Sequence, residues 1–464
     1  MNRLQIFLFY AFAFLATIYS LKSSSSMLAN ASLCLLSAFI ADCIVKTVVH
    51  ALPRKPLPDL DKKAVLVTGC DSGFGQRLAR RLDALGMQVY AGCLFPKGEG
   101  AENLKKNCSN RLKILPMDIT SDDQVEAAAK IVSCDLGERP LWCVVNNAGV
   151  AVTTEVEWCP LETYGKMWEV NALGAIRVTK AFLPLVRKVS YVPSDDSGAA
   201  ISSGRLVFVT SLAGRYTFPG MTAYSMSKSA VCSFADGLRR EMRKWSISVH
   251  TIEPTLYRTT IAEVDNVKIG MQKCWESSPE DVQTNYGEQY FQDFKSTVGK
   301  FLSKARPPSK ITEVVDDMVD AVIGEHPKRR YVPSVSAQLR AKILTSLPSD
   351  LLDYVLCLAQ PKTPPAAVSA SFEKRNLQSP YTKTKRYTLK HAVSMPLPER
   401  RRTEELLVPA DGGTAFPFPS KGPIGDGTAS NNNEKDESDR TTPGGSAPPP
   451  SSVTAKASST GVEE

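Results

Sequence analysis

The hydrophobic positions of this chain change their period along its length. From Leu4 to Leu21 the run LQIFLFYAFAFLATIYSL is apolar and uncharged, about as long as a helix needs to cross a bilayer core. A KSSSS linker leads to a second apolar stretch, Met27 to Leu52, which contains Asp42 and Lys46. Charges inside a bilayer are costly, so this stretch reads equally as a second span ending near Val45 or as a helix lying in the interface. Beyond Pro53–Pro58 the pattern becomes short continuous apolar runs: AVLVTG from Ala64, QVYAGCL from Gln88, RLKILPMDI from Arg111, LWCVVNNAG from Leu141, GRLVFVTS from Gly204 and ISVHTIEP from Ile247. Segments with helical spacing, such as Phe74–Leu85, separate them. Strands buried on both faces read as unbroken apolar runs, and their alternation with helices predicts an α/β domain built on a doubly wound parallel sheet with helices on both faces.

The expected organisation is therefore a membrane anchor over 1–52, a linker over 53–62, one α/β domain over 63–360 and a tail over 361–464. Ser190–Ser203, rich in Ser, Asp, Gly and Ala, reads as an exposed loop. The tail is dominated by Pro, Ser, Thr, Gly, Asn and charge. Such a composition buries too little apolar surface to offset its ordering entropy, so disorder is expected.

Charge changes this picture little. The net charge of the 464 residues is +8, and Pro361–Arg402, with ten basic residues against Glu373 and Glu399, accounts for all of it. The rest is nearly neutral and gives no argument for nucleic-acid binding. The basic stretch is a solvated tail or a contact for anionic lipid. None of the eleven cysteines falls at the spacing of a metal site, so no metal is expected, and reduced, buried thiols are the simpler reading. Arg3 at one end of the N-terminal segments, Lys46, Arg54 and Lys55 at the other, and only Lys22 between them suit a hairpin facing the cytosol. The N-terminus is not the Arg- and Ser-rich amphipathic segment of a mitochondrial presequence. The endoplasmic reticulum is then the expected membrane, with the mitochondrial membrane as alternative.

The chemistry begins where the first strand meets the first helix. Thr68-Gly69-Cys70-Asp71-Ser72-Gly73-Phe74-Gly75 can turn sharply, approach a pyrophosphate and offer it the free N–H groups of a helix start. Downstream, Tyr224-Ser225-Met226-Ser227-Lys228 places a phenol and an ammonium at i and i+4 on one helix face. A free tyrosine is a poor base at neutral pH, and a nearby ammonium favours its phenolate. Ser211 in VTSLAG can hydrogen-bond a substrate oxygen.

The TGxxxGxG spacing, with TGCDSGFG, YAGCL, MDIT, NNAG and LETYGKMWEVNALGAIRVTKAFLPLVRK, resembles the short-chain dehydrogenase family from about Ala64 to Val355. The wording is similar to the branch of retinol dehydrogenases, 17β-hydroxysteroid dehydrogenases and D-3-hydroxybutyrate dehydrogenases, the last including NYGEQYFQDF at Asn285–Phe294. The resemblance implies a Rossmann-type fold and a metal-free alcohol oxidation. Tyr224 would be the acid/base, Lys228 its partner and a ribose contact, Ser211 a substrate contact, and Asn171 the holder of a proton-relay water. It implies a cofactor site of Gly69, Asp71, Ser72, Gly73, Phe74, Gly75, Cys93, Leu94, Asp118, Ile119, Asn147, Ala148, Gly149, Tyr224, Lys228, Pro254, Thr255 and Thr259. Thr255 departs from the family's PGxxxT pattern, where a glycine stands beside the nicotinamide.

Near the end of the second strand stand Cys93, Leu94 and Phe95, with Lys97 close by and no acidic residue. Without a basic partner for a 2′-phosphate, NAD is expected over NADP. Expected partners are a small hydrophobic alcohol or ketone, a lipid membrane and, by family resemblance, a second or further copy of the chain. Three functions remain open: oxidation of a steroid- or retinoid-like alcohol, of D-3-hydroxybutyrate, or nucleotide binding without catalysis as a membrane scaffold.

Overall fold

A computed structural model describes residues 27–51, 54–137, 139–190 and 204–378, with 12, 14–16, 18 and 19. Met27–Ala51 forms α1. The first half of the α/β domain runs β1 (Ala64–Thr68), α2 (Gly73–Ala84), β2 (Gln88–Cys93), α3 (Glu99–Asn107), β3 (Leu112–Pro116), α4 (Asp122–Leu136) and β4 (Leu141–Asn146). Next come α5 (Leu161–Trp168), α6 (Gly174–Ser190), β5 (Arg205–Val209), α7 (Thr222–Glu241) and β6 (Ser248–Ile252). The last part holds α8 (Val264–Glu276), α9 (Glu280–Tyr286), α10 (Glu288–Ser303), α11 (Ile311–Ile323), β7 (Arg330–Tyr331), α12 (Val335–Leu344), α13 (Ser349–Cys357) and α14 (Ala366–Gln378).

The seven strands are parallel in the order β3-β2-β1-β4-β5-β6-β7. Alternate residues feed two cores. Val65, Val67, Val89 and Val145 face α2 and α11, while Leu66, Val144, Leu206 and Phe208 face α4, α6 and α7. All six expected strands form. β7 has two residues, too short to leave a periodic signal. Between β1 and β4 the order reverses, so the loops after these strands part and open a crevice at their carboxyl ends. The buried Arg205 ties the sheet to α11, its guanidinium donating to the carbonyls of Ala321 (3.1 Å) and Gly324 (2.6 Å). Those carbonyls close the helix end, where no backbone partner exists.

Three sequence expectations need correction. The expected linker is held against the domain from Arg54 onward: Leu57 N–H donates to the Ile323 carbonyl at 2.7 Å, and Arg54 pairs with the buried Asp317 at 2.5 Å. Helix α1 is docked. Ser37, Ala41 and Val45, four residues apart, are buried, and Asp42 pairs with Lys342 of α12. The charge that made a span costly is thus neutralised within the chain. Among the described residues no helix is long and apolar enough to cross a membrane. Most of Leu4–Leu21 lies outside the described residues.

The third correction concerns the tail boundary. The N–H groups of Lys362 and Thr363 both donate to the Asp293 carboxylate on α10 at 3.1 Å, and α14 follows. Residues assigned to a disordered tail therefore contact the domain at Lys362, Thr363 and Ala366. The rest of that tail, and the loop at 191–203, lie outside the described residues.

Candidate active site

The glycine-rich loop leaves β1 with Gly69 at φ +68° and Gly73 at φ +63°, backbone conformations that disfavour a side chain. Gly75 is required by space. A Cβ there would lie 2.4 Å from the Gly69 carbonyl oxygen and 2.5 Å from Asn147 Nδ2. The loop is tied to the end of β4. Asn147 Nδ2 donates to the carbonyls of Thr68 (2.9 Å) and Gly69 (3.1 Å), and the Thr68 hydroxyl accepts from the N–H groups of Asn147 and Ala148, both at 3.0 Å. Ser72 makes no side-chain cap to α2. The first N–H groups of that helix are left to a ligand, and the cradle fits a dinucleotide's pyrophosphate. The Phe74 ring turns away to stack edge-on with Tyr257 at 6.0 Å. Thr259 lies beside the loop, 3.9 Å from where a Cβ on Gly73 would stand.

The acidic group missing from the end of β2 in the sequence is supplied from the loop. The Asp71 carboxylate accepts from the N–H of Leu94 (3.0 Å) and of Phe95 (2.8 Å), where an adenosine ribose is recognised in this fold class. Cys93 beside it is buried, and burial pushes its thiol up to about 12. Asp118 accepts from Thr120 N–H at 2.9 Å and its hydroxyl at 2.7 Å. The Ile119 side chain is buried in the core against Gly174, so only its backbone can face a ligand.

Tyr224 and Lys228 lie on α7, opposite Ser211 just past β5. Ser211 faces the Tyr224 phenol closely enough to favour its phenolate, and its hydroxyl reaches the Pro254 carbonyl at 3.5 Å. Lys228 Nζ donates to the Val209 carbonyl at 3.1 Å and lies 5.9 Å from the Tyr224 ring centroid. Burial dominates the electrostatics. It raises Tyr224 to about 12 against the opposing pull of Ser211, and it lowers Lys228 to about 8. The expectation that the ammonium would depress the phenol is corrected here, because in the protein alone desolvation outweighs it.

Asn171 sits in a π-helical turn, Glu169–Leu173, between α5 and α6. Its Oδ1 accepts from Val150 N–H (2.8 Å), and its Nδ2 donates to the Val150 carbonyl and to Ser227 Oγ, both at 2.9 Å. Ser227 Oγ in turn donates to the Tyr224 carbonyl at 2.7 Å. Asn171 thus splints the strand end carrying Gly149 to the helix carrying Tyr224. Glu253 was missed by motif reading. Fully buried after β6, it accepts from Arg215 (2.6 Å), Arg330 (2.7 Å) and the Thr251 hydroxyl (2.8 Å). It braces Pro254 and Thr255 on one side and the Ser211–Tyr216 loop on the other.

The substrate side is apolar. Tyr224 packs with Val150, Val152, Cys159, Tyr164, Met167 and Ala223. Next to this patch Trp158 gathers Trp275, Tyr290, Phe291 and Phe294 at ring distances of 4.9–6.2 Å. Phe294 closes on Gly220, four residues before Tyr224. The run Asn285–Phe294 carried this signal in its aromatic spacing. Half-buried Glu155, with its carboxyl raised by desolvation, accepts from Tyr290 OH at 2.6 Å. Among the described residues no group of His, Cys, Asp or Glu is arranged to hold a metal.

With this geometry in hand, relatives are informative. Residues 63–269 match the family model described as short chain dehydrogenase. The chain is 36% identical to estradiol 17-beta-dehydrogenase 2 of Mus musculus, over 72% of this chain and 84% of that one. It is 37% identical to 17-beta-hydroxysteroid dehydrogenase type 6 of Rattus norvegicus, over 67% of this chain and 92% of that one. Short-chain dehydrogenase/reductase family 9C member 7 of Homo sapiens is 35% identical, over 66% of this chain and 92% of that one.

Proposed function

Because the chain belongs to the short-chain dehydrogenase family, in its steroid dehydrogenase branch, we propose that it interconverts a hydroxyl and a carbonyl on a lipid-like alcohol, a steroid or retinoid, at a membrane, with NAD preferred over NADP. The observation that carries this reading is Tyr224 and Lys228 on one helix, 5.9 Å from ring centroid to ammonium and opposite Ser211, opening onto an apolar and aromatic wall. An enzyme of this family acts on CH–OH donors with a nicotinamide cofactor, which supplies the hydride acceptor or donor.

The residues then divide the work. Ser211 and Tyr224 hold the substrate oxygen. In the reducing direction the neutral phenol donates a proton to it, and the buried Tyr224 is already in that form. In the oxidising direction Tyr224 must act as phenolate. Bringing a group at about 12 to that state at neutral pH costs roughly 7 kcal/mol at about 1.4 kcal/mol per unit. Lys228, which at about 8 is mostly an ammonium at neutral pH, keeps a cation 5.9 Å from the Tyr224 ring centroid. The apolar wall excludes water and strengthens both interactions. Asn171 and Glu253 act as positioning residues.

NAD is supported by the Asp71 carboxylate at the end of β2, which suits a ribose 2′-hydroxyl and repels a 2′-phosphate. D-3-hydroxybutyrate is the second reading, carried by sequence wording; the apolar packing around Tyr224 favours the lipid-like alcohol. Membrane association is supported by Leu4–Leu21.

The test is a screen of the purified chain with NAD and NADP against steroids, retinol and 3-hydroxybutyrate, alongside Tyr224→Phe. Turnover of a steroid or retinoid is expected, lost in Tyr224→Phe with cofactor affinity nearly unchanged. Turnover of 3-hydroxybutyrate alone would overturn the substrate assignment. A Tyr224→Phe variant of full activity would overturn the role of Tyr224.

A further inference from the structure

We propose that α12 and α13 dip into a lipid bilayer beside α1, so that the catalytic domain rests on the membrane along this face instead of hanging from its N-terminal segment alone. The proposal rests on the membrane association given above and names the surface that makes it.

Helix α12 turns Val335, Leu339 and Ile343, four residues apart, to the outside. Helix α13 does the same with Leu351, Tyr354 and Val355, and Leu358 just past its end is 68% exposed. The inner faces of both helices are apolar too. Ala341, Leu344 and Leu356 pack on Leu212 and Tyr216. A helix at a water-facing surface puts polar residues opposite its buried stripe, and these two present a second apolar stripe there.

Two observations indicate the occupant. Helix α1, joined to α12 by the Asp42–Lys342 ion pair, carries an exposed apolar stripe of its own at Leu36, Ile40 and Ile44. The chain enters α1 from Leu4–Leu21, an uncharged segment of bilayer length. Charge placement agrees. Arg340 of α12 is exposed beside the stripe, as lipid headgroups favour. At about 100° per residue, Asp353 of α13 points nearly opposite to Val355, and Asp350 lies in the first turn at the edge of the stripe, where a headgroup or water can reach it.

The arrangement has a consequence for substrate supply. Leu212 follows Ser211 directly, so the inner faces of α12 and α13 cover the loop that carries the proposed substrate contact. Embedding their outer faces sets that loop at the bilayer surface, where an apolar alcohol partitions.

The test uses the full chain bound to phosphatidylcholine vesicles that carry a diazirine on one acyl chain. After photolysis, lipid-modified peptides are mapped by mass spectrometry, a readout that does not involve turnover. Lipid adducts are expected in Val335–Leu344 and Ser349–Leu358 as well as in Met27–Ala51, with none in Asp122–Leu136 of α4. Ile343→Glu combined with Leu351→Glu should abolish the adducts on α12 and α13 and keep those on α1. Adducts confined to residues before Arg54 would overturn the proposal, as would adducts spread equally over α4. So would a chain whose α12–α13 face is covered by a second copy, seen as protein–protein links there without lipid.

Discussion

Glu253→Gln tests the bracing of the site. The side chain is fully buried and receives three hydrogen bonds, two of them from guanidinium groups of Arg215 and Arg330. A glutamine of the same shape loses the negative charge and turns an amide N–H₂ toward one of the two arginines. Each charge-assisted bond contributes about 1.5–3 kcal/mol when buried. Both arginines are about one-third exposed, so water recovers part of each loss. Arg330 also keeps Asp236. A net loss of about 2–4 kcal/mol is therefore expected, below the ceiling for stripping a fully buried pair. For a domain of this size that lowers Tm by roughly 4–10 °C. Urea unfolding followed by tryptophan fluorescence, on wild type, Glu253→Gln, Arg215→Met and the double variant, measures the loss and the coupling. The coupling should exceed about 1 kcal/mol. Because Arg215 sits in the loop that starts at Ser211, kcat should fall more than cofactor affinity. A Glu253→Gln protein within about 0.5 kcal/mol of wild type, or zero coupling to Arg215, would refute the bracing argument.

Two further outcomes follow from named contacts. Asp71→Asn removes charge at the end of β2 while keeping its shape; the preference for NAD over NADP, read as dissociation constants by calorimetry, should narrow about tenfold, the ~1.4 kcal/mol expected for a carboxylate facing a phosphate dianion across partly solvated space, and an unchanged ratio would remove Asp71 from cofactor choice. Lys228 is lowered by burial from the usual 10.5 to about 8, so between those values the unfolded chain binds more protons and stability rises with pH; the stability gain of Lys228→Met over wild type should be largest below pH 8 and shrink by up to about 3 kcal/mol toward pH 10.5, and a pH-independent difference would reject the buried ammonium.

What the sequence determined by itself was local. Six strands were legible because a strand buried on both faces is an unbroken apolar run. The glycine loop and the Tyr224–Lys228 pair were legible because their geometry is set within eight and five residues of chain. Tertiary structure decided what joins distant segments. Asp71 lies 23 positions before the Leu94 N–H it caps, so a search for acid at the end of β2 could not find it. Glu253 draws its partners from 38 and 77 positions away. Asp42 looked like an obstacle to burial until the fold brought Lys342 to it from 300 positions on. Lys362 and Thr363 looked like the start of a tail until Asp293 was seen to hold them. Burial also overruled a local inference: the spacing of Tyr224 and Lys228 places the two groups together, but desolvation by the surrounding core sets their proton affinities, and that core is assembled only when the sheet closes around them.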